Sequence, residues 1–79
     1  MTLNERIGFE MRSQRLLKRM TLQQVADAMG FASRNSVSLM ELGKTMITVH
    51  DLKRYCEVVG CSWLDILNKV GNEDANIQR

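Results

Sequence analysis

The chain has no proline, one histidine and two cysteines. It also has no apolar run approaching the roughly 20 residues of a bilayer span. The last absence argues against a membrane protein. The shortage of ligands argues against a metal centre, since Cys56 and Cys61 would supply half of a zinc site and His50 is the only histidine available to complete it. A disulfide is a second option for the two cysteines, and thiols packed as small hydrophobes a third. No signal peptide is recognisable, so a cytosolic, reducing setting is expected, which favours packing. There is neither a nucleophile–base motif nor a phosphate-binding glycine loop, and 79 residues leave little room for a catalytic cleft. The expectation is a protein that is not an enzyme and holds no cofactor and no metal. A net charge of +2 is only mildly basic, which permits a nucleic-acid partner without implying one.

What the chain does have is helix punctuation. Four segments place Ser or Thr three residues before an acidic residue or Gln: Thr2-Leu3-Asn4-Glu5, Thr21-Leu22-Gln23-Gln24, Thr48-Val49-His50-Asp51 and Ser62-Trp63-Leu64-Asp65. In this capping box the hydroxyl accepts from a first-turn amide and the later side chain reaches back to the amide of the cap. Gly30, Gly43, Gly60 and Gly71 each follow an apolar-periodic run, where a left-handed C-terminal residue is expected. Gly8 lies inside the first helix and weakens it. The predicted helices span 3–18, 22–29, 34–42, 49–59 and 63–70, with a polar, frayed tail over 71–79. Val49, Leu52, Cys56 and Val59 form one apolar stripe. Leu22, Val25, Ala26 and Met29 form another, and the first helix offers Ile7, Met11, Leu16, Leu17 and Met20. No segment alternates with period two for long enough to be a strand. The fold class is all-α: five short helices in a single domain over 1–70.

The stretch Ser33-Arg34-Asn35-Ser36-Val37-Ser38-Leu39-Met40-Glu41-Leu42-Gly43-Lys44 is the most informative. Only Gly30-Phe31-Ala32 and the cap separate the second helix from the third, a link short enough to hold them at a steep angle, as in a helix-turn-helix. Val37 and Met40 would face inward, so that Arg34, Asn35, Ser38 and Leu39 point away from the core. Arg can make paired hydrogen bonds to guanine and Asn to adenine, while Leu can pack on a thymine methyl. The amide end of the helix, at Ser33, favours a nearby phosphate.

The run "TLQQVADAMGFASRNSVSLMELGK" resembles the Xre-type helix-turn-helix of lambdoid phage repressors and Cro proteins. Val25-Ala26, Met29-Gly30, Ser33, Ser36-Val37, Met40-Glu41 and Gly43-Lys44 carry the likeness. "VHDLKRYCEVVGCSWLDIL" is similar to the family's last two helices, so that roughly 5–70 is covered. The resemblance implies a compact five-helix, lambda-repressor-like DNA-binding domain. It also implies an ion pair between Arg15 of the first helix and Glu41 of the third, because a buried carboxylate needs such a partner. Base reading falls to Arg34, Asn35, Ser38 and Leu39. Phosphate contacts fall to Thr21, Gln23, Gln24, Ser33, Ser36, Lys44 and Thr45. Three features depart from the family: a turn one residue longer than usual, Leu22 where a phosphate-binding Gln is common, and Leu39 where a polar base reader is common.

Arg12, Arg15, Lys18 and Arg19 cluster in the first helix; Arg12 or Arg19 could reach the DNA backbone, as could Lys53 and Arg54, or all could be solvent-facing. Phosphate contacts would supply affinity and salt dependence rather than sequence choice. The fifth helix carries Trp63, Leu64, Ile66, Leu67 and Val70, more apolar surface than one side of a short helix buries. Small domains are often marginal alone, and related repressors dimerise through this region. The reading is therefore a homodimeric, sequence-specific regulator on a (pseudo)palindromic double-stranded DNA operator, such as a Cro-like repressor or a restriction–modification controller. RNA polymerase would be a further partner for an activator, the membrane would not be one, and the setting would be the cytoplasm, at the nucleoid. The alternative is an antitoxin-type module that binds a partner protein through the apolar C-terminal helix.

Overall fold

The structure is a computed structural model that describes the backbone of residues 1–77 and the side-chain environments of residues 1–73. Five helices follow one another: α1 (Leu3–Leu17), α2 (Leu22–Met29), α3 (Arg34–Glu41), α4 (Val49–Val59) and α5 (Trp63–Ile77). There is no strand among the described residues. The caps explain the starts. Thr2 and Thr21 form complete capping boxes with Glu5 and Gln24. Thr48 and Ser62 accept from the amides of Asp51 and Asp65, without the reciprocal bond. An aspartate is one methylene shorter than the Glu or Gln that closes the box.

Left-handed glycines end three helices, at Gly30, Gly43 and Gly60. The end of α1 is different. Arg19 takes φ 57, and its amide and that of Met20 bond back to Leu16 and Arg15, so a residue with a side chain fills the place usually given to glycine. The expected stop at Gly71 is absent, and α5 runs on to Ile77. Gly71 has no positive φ and nothing near where its Cβ would be. A glycine inside a helix costs only about 1 kcal/mol, too little to end one whose Val70 is seated in the core. Of the tail expected to fray, residues 71–77 are thus helical, while 78 and 79 lie outside the described residues.

The core draws on every helix: Met11 from α1, Val25, Ala26 and Met29 from α2, Val37 and Met40 from α3, Leu52, Tyr55, Cys56 and Val59 from α4, and Ile66 and Val70 from α5. Each fully buried side chain of this size is worth roughly 1.5–3 kcal/mol in transfer terms. Of the expected stripes, Ile7, Met20 and Leu22 are half-buried against this core, and three residues lie outside it. Leu16 and Leu17 are exposed because α1 turns its Met11–Arg15 face inward, and Val49 is exposed at the first turn of α4. The cysteines are free thiols, with Cys56 buried and Cys61 half-buried. Burial, with a lesser contribution from the neighbouring Cys61, pushes the Cys56 thiol up to about 12. No helix among the described residues is long and apolar enough to cross a membrane.

Candidate nucleic-acid interface

The α2–turn–α3 unit packs as one piece, with α1 against α3 and α4 beneath α2. Val37, Met40 and Glu41 of α3 are buried. Ser33, Arg34, Asn35 and Ser36 are exposed in succession, Leu39 is exposed, and Ser38 is half-buried. Ser33 holds the N-cap position in extended conformation, yet its side chain makes no capping bond. Its hydroxyl therefore remains uncommitted at the positive end of the helix dipole, while the Ser36 amide bonds back to the Ser33 carbonyl. Ser38 follows Arg34 by four residues and Asn35 by three, which puts it on their face of α3, one turn further along. It lines a cavity of about 220 Å³ with Arg12, Arg15, Leu22, Glu41 and Leu42.

The other end of α3 is fully engaged. Arg15 meets Glu41 in a two-pronged pair, Nε to Oε2 at 2.8 Å and Nη2 to Oε1 at 3.0 Å, and its Nη1 donates to the Met20 carbonyl at 2.9 Å. The Tyr55 hydroxyl lies within hydrogen-bond reach of Glu41 Oε2 and of the Met11 carbonyl. Four elements thus meet in one buried polar group: α1, the loop after it, α3 and α4. The carboxylate holds the Arg15 guanidinium even more firmly protonated than usual. Burial, reinforced by the hydrogen bond to Glu41, holds the Tyr55 phenol in its neutral form well above its ordinary range. Gly8 makes this junction possible: a Cβ there would stand 2.6 Å from the Met40 and Glu41 carbonyl oxygens.

Several residues expected at phosphates already have internal work. Thr21 and Gln24 are tied to each other's amides, and Gln23 donates to Asp27. Each keeps a donor, since a hydroxyl proton and at least one amide proton are left over. Lys44 and Thr45, in the α3–α4 loop, and Ser36 are exposed. Among the other cations, Arg54 donates to the Met29 carbonyl and so caps the C-terminus of α2, Lys53 stands 5.4 Å over the Trp63 ring, and Lys69 pairs with Glu10. Lys53 and Arg54 each make one contact within the fold and are exposed. Arg12, Lys18 and Arg19 are exposed on or just after α1.

The residues expected at a dimer interface divide. Ile66 and Val70 are buried within the chain's own core, where α5 packs against α1 and α4, and so cannot form an outer face. Trp63 and Leu67 are half-buried against that core, and Leu64 is exposed. Sequence reasoning missed two residues. Tyr55 lies between Leu52 and Val59 on the buried stripe of α4, so periodicity carried a signal for its burial but none for its hydroxyl. Asn4 had no signal: it reads as the interior of a capping box, yet its side chain bonds to Gly43, Thr45 and Ile47.

A helix-turn-helix family model matches residues 11–66. The crystal structure of the clp gene regulator ClgR from C. glutamicum superposes with a TM-score of 0.84 at 29% sequence identity, covering 92% of this chain and 94% of that one. No curated protein matches the chain.

Proposed function

Because the chain belongs to the helix-turn-helix family of the Xre, lambda-repressor type and is a DNA-binding regulator, we propose that it works as a homodimer on a (pseudo)palindromic operator, in the manner of a Cro-like repressor or a restriction–modification controller. Each subunit sets α3 in a major groove, with half-sites about 34 Å apart. The observation that carries this reading is the contrast along α3. Ser33, Arg34, Asn35 and Ser36 are exposed, and Val37, Met40 and Glu41 hold the helix from behind. Arg34 and Asn35 read base edges. Leu39 offers an apolar contact, and Ser38, one turn beyond Arg34 on the same face, joins the base-reading set. Ser33, Ser36, Lys44 and Thr45 meet phosphates, with the remaining donors of Thr21, Gln23 and Gln24. The description of the structural neighbour as a gene regulator supports the reading. Leu64, with the free edges of Trp63 and Leu67, is the surface through which two copies associate.

A binding series over operator variants at several salt concentrations tests the assignment. Arg34→Ala is expected to cost about 1–3 kcal/mol and relax preference at one base position, whereas Lys44→Ala weakens all sequences alike and flattens the salt dependence. An equal loss on every sequence for Arg34→Ala would make that residue a phosphate contact. Sedimentation of Leu64→Glu is expected to show a folded monomer. A wild type that stays monomeric at high concentration would remove the homodimer.

A further inference from the structure

We propose that Asn4 is a positioning residue for DNA binding: it sets the shape of the Gly43–Ile47 loop so that the face bearing Lys44 and Thr45 presents donors rather than carbonyl oxygens to a phosphate. This rests on the phosphate role of the loop given above.

Asn4 lies in the first turn of α1, which the Thr2–Glu5 capping box makes rigid. Its amide group is wholly taken up by one loop some 40 residues away in sequence. Nδ2 donates to the Gly43 carbonyl at 3.0 Å and to the Thr45 carbonyl at 2.8 Å, and Oδ1 accepts from the Ile47 amide at 2.9 Å. An asparagine amide has two donor hydrogens and one carbonyl oxygen, and all three functions are used here. Glycine at 43 completes the seat. Its φ is +71, and a Cβ there would lie 2.5 Å from Glu5 Cα, so the loop rests directly on the backbone of α1.

The consequence follows from peptide planarity. In a trans peptide the C=O and N–H point in opposite directions. With the Thr45 carbonyl drawn toward Asn4, the Met46 N–H of the same peptide faces away from α1. The Gly43 carbonyl is likewise turned inward, while the Lys44 amide closes the end of α3 on the Leu39 carbonyl. The exposed side of the loop therefore carries the Lys44 ammonium, the Thr45 side chain and an outward amide, and two carbonyl dipoles that would repel a phosphate are held on the other side. Water could satisfy these groups in a mobile loop, but it would not fix their direction.

The test uses the full chain with a short random-sequence DNA duplex, titrated at several salt concentrations, so that phosphate contact is read without base choice. Asn4→Ala is expected to bind about tenfold more weakly, with a salt slope shallower by about one unit. In a Lys44→Ala background it should have little further effect. Amide hydrogen exchange without DNA provides the separate reading: Ile47 loses protection in Asn4→Ala while Val37 and Met40 of α3 keep theirs. Should Asn4→Ala fail to fold, Asn4→Asp keeps the acceptor for Ile47 and removes both donors, and the same loss in binding is expected with the Ile47 amide still protected. If Lys44→Ala alone left affinity and slope unchanged, the phosphate role of the loop would be wrong and the proposal would go with it. If Lys44→Ala acted but Asn4→Ala did not, or acted equally in both backgrounds at an unchanged slope, Asn4 would be a structural tie alone and the proposal would be overturned.

Discussion

The two ends of α3 are built on opposite plans. At the N-terminus, four consecutive residues are exposed and the capping hydroxyl bonds to nothing in its own helix. At the C-terminus, Glu41 is held by Arg15 and Tyr55, Gly8 of α1 lies against the carbonyls of Met40 and Glu41, and the following Gly43 is pressed on Glu5. One end has its hydrogen-bonding groups available to a partner, and the other has spent them internally. The difference teaches that an eight-residue helix, too short to be stable alone, can leave its first turn open because its last turn is immobilised from three sides.

The contrast can be broken from the closed end. Arg15→Ala or Glu41→Ala leaves a buried charge without its partner and is expected to cost about 3–5 kcal/mol in chemical denaturation, more than the intact pair itself contributes. The double mutant should recover part of the loss; strict additivity would show that the two residues act independently. Gly8→Ala comes next, at about 3 kcal/mol, since the added methyl group meets backbone oxygens that cannot rotate away. Both changes should leave the exposed residues Arg34 and Asn35 chemically intact while weakening DNA binding through loss of fold.

Two smaller effects sharpen the comparison. The folded state raises the Tyr55 pKa above its ordinary value, so the native chain holds this proton more tightly than the unfolded chain does. The associated stability is complete below about pH 10 and is lost as pH rises beyond it. Tyr55→Phe is expected to cost about 1 kcal/mol at neutral pH and to remove that part of the alkaline decline, as stability curves across pH 8–11 would reveal. An unchanged decline would place its cause elsewhere. The smallest change has the opposite sign. Gly71→Ala, in a helix with nothing near its Cβ, should stabilise by about 0.5–1 kcal/mol. A loss there would mean that α5 needs freedom at this position.

These contrasts also explain what could be read in the sequence. Helix starts were legible because caps act within three residues: Thr2, Thr21, Thr48 and Ser62 all stand where expected. Inward Val37 and Met40 were legible because packing imposes a period. Whatever depended on distant partners was not. Gly8 looked like a weak point and is a close crossing of α1 and α3. Asn4 looked like filler and ties a loop. Gly71 looked like a stop, because composition cannot show that Val70 has already anchored the turn before it. Ile66 and Val70 looked like surplus apolar surface because the sequence does not reveal which side of α5 faces α1. The exposed first turn of α3 was legible as chemistry, whereas the rigidity behind it became visible only in three dimensions.

The node of Arg15, Glu41 and Tyr55 has a consequence for the DNA itself. Its bonds are short, directional and buried, so a small rotation of α3 would strip partners from charged groups rather than stretch them gradually. On the proposed function, the reading helix cannot pivot to accommodate an ill-fitting groove. The cost of misfit then passes to the duplex, which has to bend or twist to meet a fixed surface. Base pairs that no side chain touches would thereby enter the choice of operator through their stiffness, and flexible steps between the half-sites would be favoured over stiff ones.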